Sequence, residues 1–331
     1  MKAWFALAAV AVLLLTAYLG VGVLGLSYVF GVVVPYAAVV LFVGGFISRV
    51  VGWARSPVPF AIPTTCGQQE SLDFIKSDNK ENPHNVRGVV WRLALEVFLF
   101  RSLFRNTKAE IRSDGRLVYG SARWLWAGAI IFHWSLLIVL LRHLRLFAEP
   151  VPRLVTGIQS IDGIFQVGVP VVYITSVALV ASCAFLLMRR LLLCQVRYIS
   201  LASDYFPLML ILAVGLSGIL MRHFIRVDLP SVKELAMGLV SFHPTVPKDI
   251  GTLFYVHLFA VSTLFAYFPM SKLMHMGGIF MSPTRNLVNN SRRVRHVNPW
   301  NYPVKVHTYQ EYEDEFRKVM AESGLPLEKV K

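Results

Sequence analysis

Six runs of about twenty mostly apolar residues dominate this chain, at roughly 3–25, 28–52, 123–145, 165–188, 204–222 and 251–272. About twenty such residues suffice for a helix to cross the hydrocarbon core of a bilayer. Inside lipid every backbone polar group must be satisfied internally, which leaves helices or closed barrels as spanning structures. Runs of this length select helices. With 55% hydrophobic residues and a mean hydropathy of +0.56, an ordinary soluble domain is excluded. The expected fold class is all-α, a polytopic membrane bundle of about six helices with an interfacial amphipathic helix and a cytoplasmic tail.

The first two runs are separated only by Gly20, Gly22 and Gly25, which predicts a tight hairpin. Residues 1–25 begin with Lys2 like a signal peptide, but the apolar run exceeds the usual h-region of about 7–15 residues and no clear A-x-A site follows. We therefore read them as a retained membrane helix. The net charge of +14 does not point to nucleic acid. Basic residues crowd Arg49 to Arg123, Arg189 to Arg197 and Arg285 to Arg295, and all three clusters fall on one side if the N-terminus is cytoplasmic. Both termini are then expected in the cytoplasm of a multi-pass cell-membrane protein. Arg142, Arg145, Arg222 and Arg226 depart from that rule by standing at outer helix ends.

Four parts are expected: an N-terminal transmembrane hairpin at 1–53, a cytoplasmic loop at 54–121, a four-helix membrane domain at 122–276 and a cytoplasmic tail at 277–331. The loop is too long to be a simple connector. Within it, Gly88 to Asn106 alternates apolar clusters with Arg92, Glu96, Arg101 and Arg105, the pattern of a helix lying at the interface. A seventh span there would place three arginines and a glutamate in hydrocarbon. The outer segments 146–164 and 223–250 read as loops, with an ordinary turn at Ser241-Phe242-His243-Pro244. The tail closes with a polar helix from Tyr309 to Ser323, stopped by Gly324. No internal repeat of the transporter kind is present.

Histidines carry the chemistry. His133 and His143 lie on the third run, while His257 and His275 flank the sixth. Ionisable side chains in lipid are rare and usually functional, and imidazole is a common axial ligand of haem iron. His133 and His143 are separated by about 15 Å of helix rise, and His257 and His275 by about 27 Å if helical, on one face. Pro269 lies between the latter two and is expected to kink or break that helix. Antiparallel topology pairs His143 with His257 near the outer surface and His133 with His275 nearer the cytoplasm. Two haems held by these pairs is the favoured reading. A proton-coupled transporter with buried histidines is the alternative, and an anchor without cofactor a third. H-E-x-x-H is absent, and no Glu-x-x-His lies within the six apolar runs, so metalloprotease and di-iron chemistry find no support.

Arg142 and Arg145 flank His143, where they either bind haem propionates through their guanidinium forks or snorkel to headgroups. His223 is a proton-exchange candidate beside an outer quinone, with an ordinary interfacial histidine as the blander reading. Cys66, Cys183 and Cys194 form no C-x-x-C pair, which argues against an iron–sulfur cluster on this chain. Cys183 and Cys194 are expected to fill space in the fourth span, and Cys66 is ambiguous. The remaining histidines, His84, His243, His296 and His307, receive no role.

The ten- and eighteen-residue histidine spacings resemble those of the gamma subunit of respiratory nitrate reductase, a dihaem membrane cytochrome b that oxidises quinol. This chain differs in its additional N-terminal span and its long first cytoplasmic loop. The strings IPTTCGQQ (62–69), FRSLFRNT (100–107), FHWSLLIVLLRHLR (132–145), YFPMSKLMHMGGIFMSPTRN (267–286) and VNPWNYPVKVH (297–307) are more specific. They resemble the cytochrome b subunit of the membrane complex associated with dissimilatory sulfite reduction. That resemblance implies two b haems and electron exchange with menaquinone or menaquinol. It also implies a cytoplasmic iron–sulfur partner related to heterodisulfide reductase, a periplasmic multihaem cytochrome c, an iron–sulfur subunit and a second membrane subunit. The final acceptor would be the trisulfide of a small sulfur carrier.

Overall fold

The computed structural model describes residues 1–56, 58, 67–165, 171–290, 292–293 and 306–328. Cys66, His296 and most of the strings at 62–69 and 297–307 lie outside the described residues. In chain order the helices are α1 (Lys2–Gly22), α2 (Val34–Arg55), α3 (Val86–Leu99) and α4 (Arg101–Arg105). A hairpin of β1 (Thr107–Ile111) and β2 (Leu117–Ser121) precedes α5 (Arg123–His143) and α6 (Arg153–Asp162). Short strands β3 (Gly163–Phe165) and β4 (Val172–Tyr173) lead into α7 (Ile174–Leu192), α8 (Cys194–Ile199), α9 (Ala202–His223), α10 (Leu229–Val240) and α11 (Thr252–Tyr267). After α11 come α12 (His275–Met281) and α13 (Tyr309–Glu322).

Among the described residues six segments are long and apolar enough to span a membrane: Lys2–Gly22, Val29–Arg55, Arg123–Leu146, Ile174–Leu192, Ala202–His223 and Thr252–Met270. This is the expected all-α polytopic bundle. Gly25 turns the first hairpin at φ +65°, and the bare Cα of Gly20 admits the Phe30 ring, which a Cβ would meet at 2.5 Å. The second span opens with a π turn at Val29–Val33. The fourth span starts at Ile174 rather than at 165, a correction with a local cause. Gly163 and Phe165 pair with Val172 and Tyr173 as short antiparallel strands, so the apolar stretch is spent on a hairpin before the helix begins. Cys183 is buried, with its thiol 3.3 Å from the Leu208 carbonyl, as expected of a space-filling residue. Cys194 does not belong to the fourth span: it opens α8 and is exposed.

The spans form an arc in which α5 packs on α7, α7 on α9 and α9 on α11. From the N-terminal hairpin, α1 lies against α9 and α11 and α2 lies against α11. Phe132, Leu179, Cys183 and Ile211 fill the α5–α7–α9 core. The segments read as outer loops contain α6 and α10, and α10 contributes Leu235 to a core with Ala17, Phe30, Tyr255 and Val256.

The expected interfacial helix is two helices, broken where Phe100 adopts a left-handed conformation at φ 50°. Val90, Trp91 and Phe98 are exposed while Arg92 and Glu96 are buried, so the polar face turns inward. Arg92 donates to the carbonyls of Glu81 (2.6 Å), Thr284 (2.9 Å) and Arg285 (2.8 Å). Burial, with the neighbouring Arg285, pushes its guanidinium below the usual arginine value. Asn82 and Asn289 add a buried amide contact of 2.8 Å. The long loop and the tail are thereby stitched into one polar layer over one end of the bundle. Arg92→Met should strand three carbonyls at about 1–3 kcal/mol each. Limited proteolysis after Met281 should then accelerate roughly a hundredfold if about 3 kcal/mol of that loss falls on local opening; unchanged cleavage would show that the layer does not depend on this residue.

Candidate functional site

The two helices that bear histidines, α5 and α11, are the ends of the α5–α7–α9–α11 arc. Adjacent members of that arc pack closely, whereas α5 and α11 are not among its close-packed pairs. The four histidines lie on or just beyond these two helices, His133 and His143 on α5, His257 on α11 and His275 at the start of α12. His143 and His275 are exposed, and His133 and His257 half-buried, although each lies on or beside a membrane-spanning segment.

The break expected at Pro269 is present. Helix α11 ends at Tyr267, and 3-10 turns follow at Phe268–Met270 and Lys272–Met274. Pro269 has no N–H to continue the helix. Ser271 is extended at ψ 175°, and its hydroxyl accepts from the Leu273 N–H at 3.1 Å. His275 therefore opens α12, and the rise of about 27 Å expected for an unbroken helix does not apply.

The break brings His275 to His133, with ring centroids 5.8 Å apart and ring planes at 86°. Phe100 and Phe132 pack edge-on against the His133 ring at 5.0 and 5.1 Å. The indoles of Trp126 and Trp134 donate to the Leu99 and Phe98 carbonyls at 2.8 and 3.1 Å. These bonds satisfy carbonyls left open at the end of α3 and fix Phe100 beside the histidine. A cavity of about 390 Å³ adjoins His275, with Arg49, Trp53 and Lys272 among its walls. At the other end of the bundle, His143 closes α5 and His257 stands in the first half of α11.

In all four rings Nδ1 is engaged. His133 Nδ1 lies 2.7 Å from the Ala129 carbonyl, His143 Nδ1 2.7 Å from that of Val139, and His275 Nδ1 2.9 Å from that of Lys272. Carbonyls only accept, so Nδ1 carries the proton and Nε2 keeps its lone pair. His257 Nδ1 instead meets the Ser217 hydroxyl at 2.9 Å. This is the arrangement of a metal-ligating histidine, with one nitrogen oriented by a neighbour and the other free to bind.

Among the described residues no cluster of three or more His, Cys, Asp or Glu is able to hold a bare metal ion. Two neutral imidazoles per site are too few for a bare ion and suit an iron whose other four ligands come from a macrocycle. Imidazole–metal bonds of about 2.0–2.1 Å on either side bring two rings to about 6 Å, close to the His133–His275 separation. The residues present therefore fit bis-histidine haem.

The flanking arginines differ from each other. Arg142 is buried, with Nε 3.1 Å from Asp162 Oδ2, a terminal nitrogen 2.8 Å from Ser176 Oγ, and its guanidinium 3.8 Å from the Tyr173 ring centre. It does not snorkel. Asp162 also accepts from the Thr175 N–H at 2.9 Å and the Thr175 hydroxyl at 2.6 Å, capping α7. Arg222 covers the same tyrosine at 4.3 Å and donates to the Val171 carbonyl at 3.1 and 3.0 Å. Arg145 is half-buried. His223 ends α9, half-buried beside Arg222. Sequence reasoning missed Asp162, Tyr173 and Ser217. A lone acid at the end of an outer segment, opposite arginines that defied the charge rule, was the signal available for Asp162; Ser217 left none.

Six candidate spans among the described residues define a polytopic membrane protein. Residues 88–297 match the nitrate reductase gamma subunit family, and the chain belongs to it. The chain is 47% identical over 283 residues to the Hdr-like menaquinol oxidoreductase cytochrome b-like subunit of Archaeoglobus fulgidus, covering 83% of this chain and 84% of that one. It is 44% identical over 274 residues to the subunit of the same name in Archaeoglobus profundus, covering 81% of each.

Proposed function

We propose that this chain is the cytochrome b-like membrane subunit of a menaquinol oxidoreductase, holding two b haems between the histidines of α5 and those of the α11–α12 segment. The observation that carries the reading is the state of the four imidazoles, each with Nδ1 engaged, and the ring contact of His133 with His275. When bound, the haems would supply one-electron redox chemistry linking menaquinol to an iron–sulfur partner. His143 and His257 hold the haem nearer the outer face, and His133 and His275 the one nearer the cytoplasm. Arg145, which has no ion pair among the described residues, offers its guanidinium to an outer propionate. Arg142, paired with Asp162, braces that wall beside His143.

The names of the relatives support the redox role and the quinol, and the motif strings support the rest. In this reading both termini are cytoplasmic. The polar layer built by α3, α4 and the tail meets a heterodisulfide-reductase-like iron–sulfur subunit, with the periplasmic cytochrome c, a further iron–sulfur subunit and a second membrane subunit completing a complex of sulfur metabolism.

A reduced-minus-oxidised optical spectrum of the purified, haem-sufficient chain tests the reading. A b-type spectrum with two titrating components and about two haems per chain is expected. A preparation without b-type absorbance would overturn it.

A further inference from the structure

Three of the four histidines orient Nδ1 on a carbonyl of their own chain three or four residues back. His257 is different: its Nδ1 meets Ser217 Oγ on α9, forty positions away in sequence. The hydroxyl is already committed, because Ser217 Oγ donates to the Val214 carbonyl at 3.0 Å. A hydroxyl has one proton and two lone pairs. With the hydroxyl proton on Val214 the oxygen accepts and Nδ1 of His257 donates, the tautomer that leaves Nε2 free to bind iron.

The surroundings hold this arrangement in place. Ser217 is buried. Gly218 lies beside the imidazole, where a Cβ would stand 3.5 Å from His257 Cε1. Gly215, one turn earlier, receives α7 so closely that a Cβ would meet Val180 at 2.9 Å. The sequence Gly215-Leu216-Ser217-Gly218 thus brings α9 close to α7 and lays its serine against the ring.

We propose that Ser217 is a positioning residue of the outer site, fixing the His257 tautomer and setting its donor strength from a helix that carries no ligand. The inference rests on the dihaem reading above. A ligand imidazole that donates from Nδ1 is a stronger electron donor through its other nitrogen. Stronger donation favours the oxidised, more positive iron, so the hydroxyl lowers the potential of that site. The other three sites take the same help from backbone carbonyls, which substitution cannot remove. His257 also has the Val214 carbonyl within hydrogen-bond reach, and it adds to that a side-chain partner, which substitution can remove.

Ser217→Val and Ser217→Thr, nearly equal in volume, separate the hydroxyl from the packing. Redox titration of the purified full chain should show one of two b-type potentials shifted upward in the valine variant and both unchanged in the threonine variant. The electron paramagnetic resonance signal of one ferric low-spin centre should move in the valine variant and return with threonine. Potentials in Ser217→Val equal to those of the parent would overturn the proposal, as would equal shifts in both variants, which would assign the effect to packing. Ser217→Ala serves as a third variant should valine fail to insert, with the same expectation. If the parent chain holds no haem, the dihaem reading fails first; if it holds two and the valine variant is silent, only the role of Ser217 fails.

Discussion

Replacing His257 with alanine is expected to remove one b-type component and leave the other, halving the haem content from about two to about one per chain. The two sites draw their ligands from separate places. His143 and His257 lie at the end of the bundle where α5 stops and α11 starts, whereas His133 sits mid-helix and His275 opens α12. Loss of one imidazole leaves its partner alone at that site and does not touch the other pair. The same argument gives His143→Ala the phenotype of His257→Ala. His133→Ala should instead remove the other component together with its potential. His84→Ala and His223→Ala lie outside both pairs and should retain both signals. Haem quantitation on detergent-purified protein, with redox titration, reads all five variants. Two intact components in His257→Ala would refute the pairing. Loss of both in His257→Ala, with helical content preserved, would indicate one shared site.

The bundle was legible because lipid imposes a length and a composition that single residues cannot disguise. Its irregularities were not. Gly163–Phe165 and Val172–Tyr173 lie in or beside an apolar run long enough to extend a span, yet local pairing makes them strands β3 and β4. Asp114-Gly115 is a strong turn signal, and β1 and β2 flank it with Ala109 opposite Tyr119, but their exposed, mixed sequence carried little alternation. Helices α6 and α10 were hidden in segments read as loops, because their stability comes from tertiary contacts such as Leu235 and Asp162 rather than from propensity. Among site residues, the histidines announced themselves by their cost in a bilayer. Pro269 announced the break before His275, though not the 3-10 turns that carry the chain through it. Ser217 announced nothing, since serine is an ordinary residue in membrane helices and its meaning lies in which helix it faces.

The outer arginines lead to the second large effect. Asp162→Ala should destabilise the protein by about 3–5 kcal/mol, because it leaves the Arg142 guanidinium buried without its counter-charge. Arg142 cannot easily escape to solvent, for it is held between Ser176, Thr175 and the face of Tyr173, with Arg222 on the same ring. Two like charges around one tyrosine are tolerable only while Asp162 stands beside them. Asp162→Asn is the milder change: it removes the charge but keeps an oxygen able to accept from Thr175 at the start of α7. Its loss should be smaller than that of Asp162→Ala, and the difference measures the cap. Arg142→Met should be comparably severe, since it strands a buried carboxylate. The double variant Arg142→Met/Asp162→Val should recover much of the loss, because a buried pair exchanged for apolar groups of similar size is often nearly neutral. Denaturation in detergent, arranged as a double-mutant cycle, should return a coupling of roughly 0.5–3 kcal/mol or more. Additive losses would show that Arg142 and Asp162 act separately. The cycle bears on the redox site as well, because Arg142 precedes His143 in the chain. A loosened Asp162 contact should lower occupancy of the outer haem while the His133–His275 component keeps its potential, so that stability and haem content report on the same site.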